Sequence, residues 1–152
     1  MLHRVVFVAR AVCCAVLLLC GLAACQPAQP KQEGEAVELT QGLWALVSLR
    51  QQPAKVYDDQ PEVHLVFIQE EAGLRIAGSD GCNRLIGMAQ LKGANIDFGQ
   101  MGTTMMACPK GQEQGQEFLR VLAQTHSLQV EGKILRLLNK GKELAVLENR
   151  AL

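Results

Sequence analysis

No stretch of this chain is strongly basic, and neither sign of charge is in surplus: 15 Lys+Arg stand against 15 Asp+Glu. A track for phosphates is therefore missing, which speaks against a nucleic-acid partner. Also lacking is an apolar run that could cross a bilayer. The stretch from Ala11 to Leu19 falls well short of the ~20 residues a spanning helix needs. There is no internal repeat. No paired carboxylates and no nucleophile motif stand out, so the sequence nominates no catalytic residue, no metal site and no cofactor. A length of 152 residues suits one domain and is short for two.

What is present begins at the N-terminus. Residues 1–24 are apolar apart from His3, Arg4 and Arg10, with a basic start and small residues at the end. That pattern reads as a signal peptide. Its last residues run into Leu22-Ala23-Ala24-Cys25, which matches the lipobox of bacterial lipoproteins, where the cysteine is diacylated before cleavage. Cys13, Cys14 and Cys20 lie in the same region, but only Cys25 combines small residues before it with a polar break after it. Cys25 is accordingly the expected lipidation site. Acyl chains contribute about 0.8 kcal/mol per buried methylene, and one chain anchors only marginally, so two or three on one cysteine are needed to hold a domain on the surface. Gln26 follows the cysteine, and an Asp there would signal retention in the inner membrane. The periplasmic face of the outer membrane is thus the expected location, with the membrane contacted through the lipid. Removing residues 1–24 takes away two arginines and no acids, leaving 13 Lys+Arg against 15 Asp+Glu, a net −2.

Residues 25–40 are Pro, Gln, Glu, Lys and Ala with almost no large apolar side chain, the composition of a tether. The folded domain is expected over residues 41–152. Within it, period-two alternation recurs in short runs: Trp44 and Leu46; Val63, Leu65 and Phe67; Leu74 and Ile76; Ile96 and Phe98; Leu128 and Val130; Leu135 and Leu137; Leu144 and Val146. Glu131-Gly132 reads as a two-residue hairpin turn, and residues 139–142 as another. One segment has helical spacing instead. Gln112 to His126 places Phe118, Leu119, Val121 and Leu122 on one side and Glu113 and Glu117 on the other, with Gly115 costing about 1 kcal/mol relative to Ala. One amphipathic helix among about eight strands needs a sheet face to cover. The expected fold is α+β: a curled antiparallel sheet, a partial barrel, with one helix packed across it.

Cys82 and Cys108 are the only cysteines of the mature domain besides Cys25. An even pair in an oxidising compartment suggests a disulfide. Two unpaired buried thiols are the alternative, and a catalytic cysteine with His64 or His126 as base is a remoter one. Met101, Met105, Met106 and Cys108 carry the soft donors that select cuprous copper. Strand spacing would send Met105 and Met106 to opposite faces, however, and methionine more often fills irregular core gaps. Gly78, Gly81 and Gly87, around Asp80 and Asn83, suit a tight loop. It reads as a structural turn first and a ligand-gripping loop second.

Two segments, Gly78-Ser79-Asp80-Gly81-Cys82-Asn83-Arg84-Leu85-Ile86-Gly87 and Thr103-Thr104-Met105-Met106-Ala107-Cys108-Pro109, followed by Glu113, Glu117 and Phe118, together resemble the META domain, the HslJ-like family of heat-inducible lipoproteins. The opening Gly42-x-Trp44-x-Leu46 and the closing glycine hairpin belong to the same resemblance, which spans the whole mature domain. Met88-Ala89 departs from it, standing where the family usually has an aromatic residue. The resemblance makes Gly81, Cys82, Asn83, Arg84, Gly87, Thr104, Met106, Ala107, Cys108 and Pro109 structural motif residues and none of them catalytic. It also implies a small α+β fold resembling secretin-pilot lipoproteins, which hold a hydrophobic ligand in a cracked barrel, and an association with envelope stress and antibiotic tolerance. The function expected is a non-enzymatic binding or structural one, toward an envelope protein or a hydrophobic small molecule. A pilot or assembly factor for an outer-membrane complex is the alternative, and a periplasmic enzyme a remoter one.

Overall fold

A computed structural model describes residues 38–150. The expected signal peptide at 1–24, the expected lipidation site Cys25 and the expected tether up to residue 37 lie outside the described residues. The elements that lie wholly within the described residues are, in order, β1 (Leu43–Leu49), β2 (Gln52–Pro53), β3 (His64–Glu70), β4 (Gly73–Ser79), β5 (Arg84–Lys92), β6 (Asn95–Phe98), β7 (Gly102–Thr103), α1 (Gln112–Gln124), β8 (Ser127–Glu131), β9 (Ile134–Asn139) and β10 (Lys142–Arg150).

Every pairing is antiparallel, and neighbours run β10-β9-β8-β6-β5-β4-β3-β1. β10 then pairs back onto β1, from Leu43 opposite Arg150 to Leu49 opposite Ala145. The sheet therefore closes into an eight-stranded barrel, with β2 added beside β1 and β7 beside β5. Closure removes the free edges that an open sheet would present. β6 meets β8 at one bridge, Asn95 opposite Ser127. This is the thinnest pairing of the wall, and α1 leads directly into it.

Alternation fills the interior. Trp44, Leu46, Leu65, Phe67, Leu74, Ile76, Leu85, Ile96, Phe98, Leu135, Leu137 and Leu147 all point inward in one continuous cluster. Phe118, Val121 and Leu122 of α1 join it, each fully buried. Full burial of such a side chain contributes about 1.5–3 kcal/mol, so α1 is held by its three core residues and not by its ends. Its N-terminus has no side-chain cap, and Gly111 stands there in the left-handed region. The helix stops at Gln124, two residues short of the expected span. Thr125 turns extended, with its hydroxyl donating to the Val121 carbonyl at 2.8 Å, and His126 already bonds to the strands.

Four further expectations shift. Leu39, read as part of the tether, is 1% exposed, and its carbonyl accepts the Trp44 indole N–H at 2.8 Å. The packed chain thus reaches back beyond Gln41. The first C-terminal hairpin turns on Gly132 and Lys133, not on Glu131-Gly132, because Glu131 pairs with Ile134. In β10 a bulge between Glu143 and Ala145 breaks simple alternation, burying Leu144, Ala145 and Leu147 and turning Val146 outward. Lastly, the glycine-rich segment is mostly strand. Gly78 and Ser79 end β4, Arg84 to Gly87 open β5, and only residues 80–83 form the loop.

Strand direction alternates around the barrel, which separates its two ends. β1 begins where β10 finishes, so the N-terminal chain arrives at that end. β4 finishes and β5 begins at the other end, where α1 lies across the mouth.

Candidate functional site: a clasped methionine tip

The loop at 80–83 is organised by one buried carboxylate. Asp80 is 5% exposed, and its Oδ1 accepts the backbone N–H groups of Cys82, at 2.8 Å, and Asn83. Its own N–H donates to the Asn83 carbonyl at 3.0 Å, and the Ser79 hydroxyl oxygen accepts the Gly81 N–H at 3.0 Å. Gly81 has φ +97°, a conformation in which a side chain would be strained. This is an Asx-type turn closed from within.

Asn83 then reaches out of the loop to the second motif. Its Oδ1 accepts the Met106 N–H at 2.7 Å and the Thr104 hydroxyl at 3.1 Å. The Thr104 hydroxyl oxygen accepts the Arg84 N–H at 3.1 Å, and the Thr104 N–H donates to the Arg84 carbonyl at the same distance. Beside these bonds Cys82 and Cys108 are joined as a disulfide with Cα atoms 5.9 Å apart. Sulfurs bonded to each other leave no thiolate to act as nucleophile or to ligate copper. Among the described residues no three His, Cys, Asp or Glu side chains are grouped to hold a metal ion.

The motif residues differ in what they do. Gly81, Cys82, Asn83, Thr104 and Cys108 form the clasp itself. Arg84 is exposed and makes no ion pair among the described residues. Gly87 lies within β5 against the Met101 side chain, where a Cβ would collide with the sulfur. Met106, Ala107 and Pro109 belong to the clasped segment, and all three are exposed. At its crest Met105 is 100% exposed and Met106 58%. Neither lies in a strand, so opposite faces do not arise, and both look outward. Ile86, at 57% exposure on the outer side of β5, pairs with Gly102 at the foot of this tip.

Gly115 explains why a helix carries glycine at that position. A Cβ there would stand 2.7 Å from the Asp80 carbonyl oxygen, so only glycine lets α1 approach the loop this closely. The helix thus backs the clasp from inside. A groove of about 540 Å³ runs along its outer side, beneath the β1–β2 hairpin, with Arg50, Lys55, Tyr57 and Pro109 in its walls. Lys110 reaches over the Tyr57 ring, 6.0 Å from the centroid. Arg50 bonds Glu117 at 2.9 Å, and Glu117 also meets Arg120 at 2.7 Å. The two guanidiniums, Arg50 foremost, hold the Glu117 carboxyl below its ordinary pKa. Nothing in the groove pairs a nucleophile with a base.

The sequence places Asp80 in a tight loop without showing that its carboxylate organises that loop, and it gives Arg50 no role. An Asp two positions before Cys82 and three before Asn83 is the local signal for such a turn. Arg50 and Glu117 are 67 positions apart and carry no such signal.

Residues 37–151 match the model of the META domain. The chain belongs to the META domain family. Its fold is similar to an NMR structure of a protein from Burkholderia xenovorans, with a TM-score of 0.63, 20% identity, and coverage of 84% of this chain and 94% of that one. A second NMR structure is similar at a TM-score of 0.58 and 21% identity, covering 74% of this chain and 93% of the other. At these identities the likeness is one of fold. No curated protein gives a significant match. Neither the META domain nor this barrel is a known enzymatic type.

Proposed function

We propose that this META domain protein is a lipid-anchored protein of the periplasmic face of the outer membrane. It works without catalysis, as a rigid binding domain whose contact surface is the clasped tip at Met105 and Met106. The observation that carries this reading is the contrast between barrel and tip. The interior is filled by the protein's own side chains, which leaves it no role as a ligand chamber. Yet a disulfide, a buried aspartate and an asparagine are all spent on fixing a short segment whose two methionines face solvent. Methionine is adaptable at binding surfaces, and a pre-ordered segment loses little entropy on contact.

Anchor and tip support a shared logic. The described chain enters β1 at one barrel end and the tip stands at the other, so a domain tethered through Cys25 would present the tip toward the periplasm. An envelope protein is the partner this arrangement favours, in the manner of an assembly factor. The groove beside Arg50 and Tyr57 favours a second reading, a small molecule, since its volume of about 540 Å³ is within the range of ligand sites.

Deleting the protein and restoring it with the M105S/M106S variant tests the reading. Deletion should sensitise cells to envelope stress or hydrophobic antibiotics. The variant, folded and lipidated normally, should fail to restore tolerance. Full restoration by the variant would move the function away from the tip and toward the groove.

A further inference from the structure

The domain's sulfur atoms divide sharply by environment. Cys82 and Cys108 have already given up their thiols to each other. Of the four methionines in the described residues, Met101 packs against the core and Gly87, and Met88 is half-buried on β5. Met105 and Met106 are open to solvent on adjacent residues. We propose that Met105 and Met106 form a paired oxidation site, whose conversion to methionine sulfoxide by peroxide turns the clasped tip from apolar to polar while the fold stays intact. The inference rests on the tip being the contact surface, as above, and names the chemistry that would regulate it.

The reaction balances without help from the protein. A thioether sulfur attacks one oxygen of hydrogen peroxide, an S–O bond forms, and the O–O bond breaks. The sulfur loses two electrons, and the departing oxygen leaves as water after taking up the proton from the transferred oxygen. Exposure sets the order of reaction, because the oxidant must approach the sulfur directly. The fold survives because nothing that holds the tip involves those sulfurs. Asn83 grips the Met106 backbone N–H, at 2.7 Å, and the disulfide fixes the segment independently. A sulfoxide is polar and chiral, so it would disrupt a methionine-lined contact. Exposure also leaves both sulfoxides open to the reductases that reverse them.

The test treats the folded, disulfide-intact protein with a graded dose of hydrogen peroxide and follows each methionine by peptide mass. Met105 and Met106 should gain 16 mass units (one oxygen, about 16 Da) at least roughly tenfold faster than Met101. Retention on a hydrophobic-interaction column should fall in step, the unfolding midpoint should hold, and methionine sulfoxide reductase should restore both mass and retention. M105L/M106L, apolar and unable to be oxidised this way, should keep its retention under peroxide. Oxidation of Met101 or Met88 at the pace of the pair, or unfolding on modification of the pair, would overturn the proposal. Failure of the tip as a contact surface is a separate outcome. M105S/M106S would then restore tolerance in cells even though the pair oxidises first in the purified protein.

Discussion

The Asn83 side-chain oxygen accepts the backbone N–H of Met106, 23 positions away, at 2.7 Å. One amide therefore ties the loop that ends β4 to the segment that presents the methionines. Asn83→Ala removes the acceptor of both this bond and the Thr104 hydroxyl. Because the tip is exposed, water partly replaces what is lost, and the expected cost is about 1 kcal/mol. The sharper readout is local: the Met106 amide should exchange with solvent markedly faster while the barrel amides keep their protection. Unchanged exchange at Met106 would mean the disulfide alone orders the tip.

Asp80 holds the same loop from beneath and is far more buried. Asp80→Ala leaves two backbone N–H groups without their acceptor, that of Cys82 buried and that of Asn83 part-buried. A loss of about 2–3 kcal/mol is expected in urea unfolding. A loss below about 0.5 kcal/mol would show that the disulfide and glycines shape the turn without it.

Gly115→Ala separates two physical effects of opposite sign. Helix propensity favours alanine by about 1 kcal/mol. The added Cβ would stand 2.7 Å from the Asp80 carbonyl, and overpacking of this kind costs about 1–3 kcal/mol. Net destabilisation is expected, with shifted NMR signals at Asp80 and Cys82. A more stable variant would mean that α1 can move off the loop without penalty.

How far the sequence alone could reach follows from the range of each signal. Leu65, Phe67, Leu74 and Ile76 declare their strands because alternation is local and β3 and β4 have no bulge. β5 was hidden because Gly87 was grouped with Gly78 and Gly81 as a turn, and the need for Gly87 comes from Met101, which is distant in the chain. Val146 misled for a related reason: a bulge moves the inward face by one residue, and nothing in the composition marks it. Gly115 looked like a helix defect until the Asp80 carbonyl was placed opposite it. The two motifs were legible as a pair, but the atom that joins them, Asn83 Oδ1, was not, since its partners are defined only by the fold.

The disulfide between Cys82 and Cys108 closes a separation of 26 residues. Loop closure of that length is worth roughly 3–4 kcal/mol on the chain-entropy model. Against a total of about 5–15 kcal/mol for a domain, C82S/C108S should lower the urea midpoint substantially. Protein taken from the periplasm should be two hydrogens lighter than the reduced chain. Ready alkylation of both cysteines in the folded, unreduced protein would show that the bond does not form in the cell.

Glu117 gives the fold a pH dependence of known sign. Its carboxyl is held below the ordinary range by Arg50 first and Arg120 second. A depressed folded pKa contributes stability that is present above the unfolded value and lost as pH falls through the folded one. Glu117→Gln should therefore cost little at pH 7, under about 1 kcal/mol for a partly exposed pair, and should flatten the decline in stability below pH 5. An unchanged acid limb would mean that Glu117 and its arginines are not coupled to folding.

The proposed anchoring can be separated from folding at Cys25. Cys25→Ala should abolish incorporation of labelled palmitate and leave unprocessed precursor in the inner membrane. A wild-type mature protein that starts elsewhere and carries no acyl mass would remove the anchor from the account.

The most direct test of the tip as a contact surface is a photo-crosslinking amino acid at position 105 of the lipidated protein in its native envelope, with one at Glu131, in the hairpin at the opposite barrel end, as control. The account expects a discrete crosslinked envelope protein from position 105, absent from position 131 and lost when peroxide has oxidised Met106. Crosslinks of equal yield and identity from both positions, or none from 105 in cells where the protein restores tolerance, would contradict it.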